Sequence, residues 1–264
     1  MAEAMRAAAP ARVSTAERAA AEGAVLLMIL GWWLTARDLP AFVLPGPLEV
    51  GRAMLRFLTD TGYALHAATS FARVVASVVV AMALAVALAA LVRAVPLTQA
   101  IVERRILTFL NSFPSVGWAI LGVVWFQVSA ATVIFIQTAI VLPFCLVNAL
   151  EGFRQIDPEL DELGRSLTRN PIRRFTRVTL PLVAPFLVAG ARIAYGIAWK
   201  IALVSELFGA SSGLGYLLMR AQSTADAATV FACCFVIVLI FGLTDRIALR
   251  PLAQRFSRNR GGPS

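Results

Sequence analysis

The chain has 264 residues, of which 59% are hydrophobic, with a net charge of +9 and a mean hydropathy of +0.78. Such a surface must meet something other than water. The basic balance by itself could indicate nucleic acid, but that requires a basic face on a polar fold, and the long apolar runs exclude it.

Three cysteines, Cys145, Cys233 and Cys234, sit inside apolar runs without metal-ligand spacing, and His66 is the lone histidine. Neither a disulfide framework nor a zinc site is readable, and the thiols read as small packing residues.

Residues 1–22 read as a loosely ordered N-terminal extension carrying Arg6, Arg12 and Arg18. Gly23 to Ala36 is uncharged, a length that suits a short span or a signal-peptide core. Trp32 and Trp33 near its end read as an interfacial anchor, which favours an uncleaved first helix. Pro40, Pro45 and Pro47 then break the chain, and Leu48, Met54, Leu55 and Leu58 resume a helical spacing, as in a short amphipathic helix outside the membrane.

Val74 to Val92 is long enough for a second span at 1.5 Å per residue. "RAVPLTQAIVERR" reads as a short basic loop. Ile106 to Leu150 holds no charged residue over 45 positions, twice what one span needs, so a hairpin of two helices is expected with its turn at 126 to 132. Asn111, Ser112 and Ser115 surround Pro114, a pattern that fits a hinge, a polar spot lining a path, or a packed kink.

A charged island follows, "DPELDELGRSLTRNPIRRFTRVTLP", Asp157 to Pro181. Asp157 can cap a helix that begins at Pro158, and Glu159, Asp161 and Glu162 lie at its positive end. Leu160, Leu163, Gly164 and Leu167 fall on one face, with Arg165 and Arg169 later. The result is a short amphipathic helix lying under the membrane, against headgroups or, better given its acidic first turn, a protein partner.

Leu180 to Leu207 gives a fifth span carrying Arg192 and Lys200, and Ala227 to Thr244 a sixth. Between them "FGASSGLGYLLM" is too short to cross and reads as a glycine-hinged loop or re-entrant segment. Gly209, Gly213 and Gly215 there make no phosphate-binding fingerprint and are expected to allow close backbone turns. Arg192 and Lys200 lie near one face with Trp199 between. They either draw an anionic solute to a path or are paired, with a helix end, headgroups or Glu206. Six spans put both termini on one side, and arginines crowd that side, which places the termini and the island in the cytoplasm of a multi-pass inner-membrane protein.

Over the island and on through "LPLVAPFLVAGARIAYGIAWKIALVSELFGASSGLGYLL", the chain resembles the permease subunits of binding-protein-dependent ABC importers. More narrowly it is similar to the nitrate/sulfonate/taurine branch. "PGPLEV" (45 to 50) and "NSFPSVGWAILGVVWF" (111 to 126) extend the resemblance over about residues 40 to 255. It implies an all-α polytopic fold like that of type I importer permeases: a permease domain over residues 23–250, a coupling loop over 151–180 and a C-terminal tail over 251–264.

The family's motif, Glu-Ala-Ala followed by a glycine and then Leu-Pro, maps onto Glu162-Leu163-Gly164, Thr168 and Leu180-Pro181. Leu163, Gly164 and Thr168 depart from it, and Thr168 is expected to disturb the tight turn a glycine allows. The resemblance implies that Asp157, Leu160, Glu162, Leu163, Gly164, Leu167 and Thr168 couple to a cytoplasmic ATPase. It also implies a machine of two permease copies, two ATPases and an external solute-binding protein.

With no GxxxxGK[ST] loop, the chain is expected to bind no cofactor itself, with ATP and magnesium held by the partner. It is thus read as a transport subunit rather than an enzyme. Asn111, Ser112, Arg192, Trp199 and Lys200 are the candidate path residues, and membrane lipid, not nucleic acid, is the surrounding partner. An ion-coupled transporter is the competing class, but it would carry carboxylates well inside a span, whereas Glu206 and Asp245 read as lying at span ends.

Overall fold

The computed structural model describes residues 15–168 and 170–258. Ten helices account for the regular structure among them. These are α1 (Thr15–Asp38), α2 (Pro47–Thr59), α3 (Thr61–Ala94), α4 (Pro96–Ser112), α5 (Ser115–Phe126), α6 (Ala130–Arg154), α7 (Pro158–Leu167), α8 (Pro171–Gly209), α9 (Leu214–Ser223) and α10 (Ala227–Arg255). Five are long and apolar enough to cross a membrane, or six if the bent pair α4 and α5 counts as one span.

The core is a triple contact of α3, α6 and α8, built on small residues four apart. On α3 Ser77, Ala81, Ala85 and Ala89 are buried, and on α8 Gly190, Ala194, Ala198 and Ala202. Four-residue spacing places each set on one face. Small side chains there let helix backbones approach without relying on water exclusion. The approach is close enough that a Cβ on Gly190 would sit 2.8 Å from Cβ of Asn148 on α6. Val133, Val141, Cys145, Leu146 and Ala149 of α6 fill the seam.

The α3 helix extends well beyond the expected start at Val74. Asp60 caps it, its Oδ1 accepting from the Gly62 N–H at 2.7 Å, and 34 residues follow without a break. At 1.5 Å per residue that is about 51 Å, so one end rises clear of the roughly 30 Å hydrocarbon layer.

The stretch expected as a basic loop is helical instead, forming most of α4. A shared helical register continues because Pro96 stands at a first helical position, where its missing N–H is harmless. The break comes at Pro114, where α4 and α5 meet at 89°. Phe113 before it is extended (φ −75°, ψ 126°), as a residue preceding proline prefers. The expected hairpin therefore has its turn where the sequence placed it, but its first arm is split, and only the 12 residues of α5 run up to it.

Three further expectations shift. The α2 helix buries Val50, Ala53 and Phe57, leaving Leu48, Leu55 and Leu58 exposed, so its inward face is not the leucine one. The α1 helix begins at Thr15, inside the stretch expected to be loosely ordered; residues 1–14 lie outside the described residues. It is peripheral, touching the body where the Trp32 indole N–H donates to the Pro45 carbonyl at 3.0 Å and its ring stacks on Phe231 and Phe235. The segment after α8 is a four-residue turn followed by α9, which packs on α3, α8 and α10. Both α8 and α10 contain a π-helical turn, at Phe175–Thr179 and Asp245–Leu249, and continue past the expected span ends.

Candidate docking helix and intramembrane polar sites

At the arginine-rich end, α7 projects from the bundle between α6 and α8. Asp157 caps it as its sequence requires, Oδ1 accepting from the Glu159 N–H at 2.9 Å. Pro158 occupies the first turn. The helix rests on the π-turn of α8, where Gly164 is buried: a Cβ there would meet Val178 Cγ1 at 3.2 Å. That contact explains why glycine replaces the alanine of the family motif.

Its apolar side is otherwise bare, with Leu160 41%, Leu163 54% and Leu167 71% exposed, and Glu162 exposed beside them. Thr168 ends the helix in an extended conformation (φ −156°) that any residue adopts, so the glycine of the motif is not needed here. Its hydroxyl accepts from the Asn170 N–H at 3.2 Å, and Asn170 in turn caps α8 through the N–H groups of Ile172 and Arg173. The loop is held by side-chain caps in place of a tight turn. Arg169 lies outside the described residues.

Deep in the opposite half lies a network the sequence reading missed. Glu206, 1% exposed, accepts from Arg73 Nη1 at 3.0 Å, from the Ser70 hydroxyl at 2.7 Å and from the Gly215 N–H at 2.9 Å. Arg73 also donates to the Ser212 carbonyl at 2.6 Å and to its hydroxyl at 2.8 Å. His66 Nδ1 accepts the Gly213 N–H at 2.9 Å.

Together these bonds clamp the turn at 210–213 onto α3 and α8. Glycine is required in the turn and again just after it: Gly213 has φ +109°, and a Cβ on Gly215 in the first turn of α9 would lie 2.5 Å from the Leu203 carbonyl oxygen. Glu206 was expected at a span end and was one of the alternative partners offered for Arg192 and Lys200; it is buried and pairs with Arg73. The available signal was one arginine and one glutamate, each alone at the border of an apolar run.

A second polar seam lies next to it. Ser77 donates to Gln137 Oε1 at 2.7 Å, and Gln137 Nε2 donates to the Ser205 hydroxyl at 3.0 Å. These side chains join α3, α6 and α8 and are fully buried, so they fix the register of the bundle.

Arg192 is paired with Asp245, Nε to Oδ1 at 2.7 Å and Nη2 to Oδ2 at 3.1 Å. Asp245 also accepts from Arg250 at 2.8 Å. Asp245, expected at a span end, is buried inside the π-turn. Neither Glu206 nor Asp245 is therefore a bare proton or sodium site, since each faces a guanidinium that keeps its charge.

Lys200 has no carboxylate partner among the described residues. It shares with Arg192 and Trp199 a groove of about 620 Å³ between α8 and α10. A lone ammonium facing hydrocarbon there would cost roughly 2.5–3.5 kcal/mol. Asn111 and Ser112 are not part of this groove. They are exposed at the end of α4, and Asn111 Nδ2 donates back to its own helix at the Leu107 carbonyl, 3.0 Å. Pro114 is the corner of a bent helix pair rather than the start of a span.

A many-spanning helical bundle with a bare amphipathic helix at one end and a clamped turn at the other has the organisation of a membrane transport subunit. Residues 24–258 match the family described as the inner membrane component of binding-protein-dependent transport systems, and the chain belongs to that family.

The chain is 27% identical over 218 residues to a probable ABC transporter permease of Brucella melitensis, covering 83% of this chain and 88% of that one. It is 24% identical over 243 residues to the taurine transport system permease of Escherichia coli, covering 89% and 87%. Over 140 residues it is 31% identical to a putative aliphatic sulfonates transport permease of Bacillus subtilis, covering 53% and 50%. The protein is an ABC transporter permease subunit, of a family that works with ATPase and solute-binding components.

Proposed function

We propose that this chain is the permease of an ATP-driven importer that carries a small anion delivered by an external solute-binding protein. In this reading two copies form the path, and α7 of each docks on a cytoplasmic ATPase that alone holds ATP and magnesium. The arginine-rich end, with the termini and α7, faces the cytoplasm in keeping with the positive-inside bias.

The observation that carries the reading is the bare face of α7. Three leucines of one short helix stand 41–71% exposed at the end of the molecule, beside Glu162. An amphipathic helix held this way fits a groove in a partner, with apolar anchors one turn apart. The anion is supported by the relatives named for sulfonates and taurine and by the unpaired Lys200.

The test is transport by proteoliposomes containing the complete assembly. Leu163→Asp and Glu162→Ala are expected to abolish uptake while the permease still inserts and folds in the membrane. Full uptake by both variants would defeat the assignment of α7.

A further inference from the structure

The groove between α8 and α10 combines apolar walls with two cations whose situations differ. Leu203, Val238 and Phe241 form much of its lining. Arg192 is tied up by its two bonds to Asp245, a carboxylate it shares with Arg250. Lys200, two turns further along α8, is exposed and has no carboxylate partner among the described residues, so it is the groove's cation whose donors are left for a ligand. Hydrocarbon is a poor neighbour for that ammonium. About 620 Å³ is the size of a small-molecule site.

We propose that this groove is a subsite on the solute's route, in which Lys200 selects an organic anion, its charged head at the ammonium and its apolar body along Leu203, Val238 and Phe241. Arg192 is a positioning residue that ties α8 to α10 through Asp245. Nitrate would gain nothing from the apolar walls, whereas an alkanesulfonate or alkyl carboxylate would use both halves of the groove. The inference rests on the importer reading but predicts a local property of the groove that can be read without transport.

Cys234 provides the reporter, because it is exposed and lines the groove while Cys145 and Cys233 are buried. The complete transporter in nanodiscs is treated with two small thiol reagents of opposite charge, 2-sulfonatoethyl and 2-trimethylammonioethyl methanethiosulfonate. Modification of the Cys234 peptide is followed by mass spectrometry. The ratio of the two rates cancels the thiol's own reactivity and reports the local field.

Both reagents are expected to react, the anionic one faster. Lys200→Met should lower the anion-to-cation ratio about tenfold, the scale of one unit charge a few ångströms away in a wet groove. Lys200→Arg should preserve the ratio, and Arg192→Gln should change it less than Lys200→Met does. Butanesulfonate should slow labelling in the native chain and not in Lys200→Met.

Three results would each overturn the proposal: no labelling by either charged reagent, which marks a lipid-facing groove with Lys200 reaching headgroups; a ratio indifferent to Lys200→Met; or no protection by butanesulfonate. If one of these occurs while Leu163→Asp still abolishes uptake, the subsite is wrong and the importer reading stands.

Discussion

Arg73→Met should destabilise the permease more than any conservative change on its surface. The guanidinium gives Glu206 its charge partner, and the Glu206 side chain is 0% exposed against 9% for Arg73. Without Arg73 the carboxylate keeps only the Ser70 hydroxyl and the Gly215 N–H, and the Ser212 carbonyl loses a donor at 2.6 Å.

Removing one partner of a buried pair costs about 3–5 kcal/mol, because the other charge stays buried. For a chain of this size about 1 kcal/mol moves the midpoint by roughly 2–4 °C, which gives a fall of about 6–20 °C. The assay is thermal unfolding of the purified permease in detergent, followed by tryptophan fluorescence and by loss of the monodisperse peak in size exclusion. The double variant Arg73→Met/Glu206→Gln removes both charges and leaves an amide that still accepts from Ser70 and Gly215. It should recover at least half of the loss. A midpoint for Arg73→Met within about 2 °C of native, or a double variant no better than the sum of its singles, would refute the clamp.

Two glycines separate space from conformation. Gly213→Ala places a Cβ about 2.3 Å from Glu206 Oε1 at φ +109° and should lower the midpoint as much as loss of Arg73 does. Gly51→Ala in the interior of α2, where nothing lies within 4 Å, should instead stabilise by about 0.5–1 kcal/mol. Gln127, in the turn between α5 and α6, has φ 55° and ψ −159°, a region suited to glycine. Gln127→Gly should raise stability by about 1 kcal/mol in the same melt, and a neutral or destabilising result would show that its exposed side chain holds the turn.

The charge pattern made the spans, the island and its helix readable, because Asp157-Pro158 and the leucine spacing of α7 act locally. The hairpin turn near 127 was readable for the same reason, since polar residues interrupt an apolar run there. Helix lengths were not. Where the second span was expected to begin at Val74, Asp60 caps the helix and distant partners satisfy His66, Ser70 and Arg73, so the helix starts earlier, at Thr61.

Pairings across the chain were equally hidden: Arg192 finds Asp245 53 positions away and Arg73 finds Glu206 133 away, distances that no local pattern encodes. The tight seam of Ser77, Ala81, Ala85 and Ala89 against α6 was written in the sequence at four-residue spacing. In so alanine-rich a chain it does not stand out from the lipid-facing alanines around it. Asn111 and Ser112 stood out because polar groups beside proline are rare in a span; the bend at Pro114, which the sequence did not show, leaves them exposed at a helix end.

The most direct test of the account is a photo-crosslink in whole cells. A benzophenone amino acid replaces Leu163 on α7, and in a control replaces Leu65, a still more exposed leucine near the start of α3. The account predicts that illumination joins Leu163, and not Leu65, to the ATPase subunit. No ATPase adduct at Leu163 in a transporter that still imports, or an equal adduct at Leu65, would contradict it.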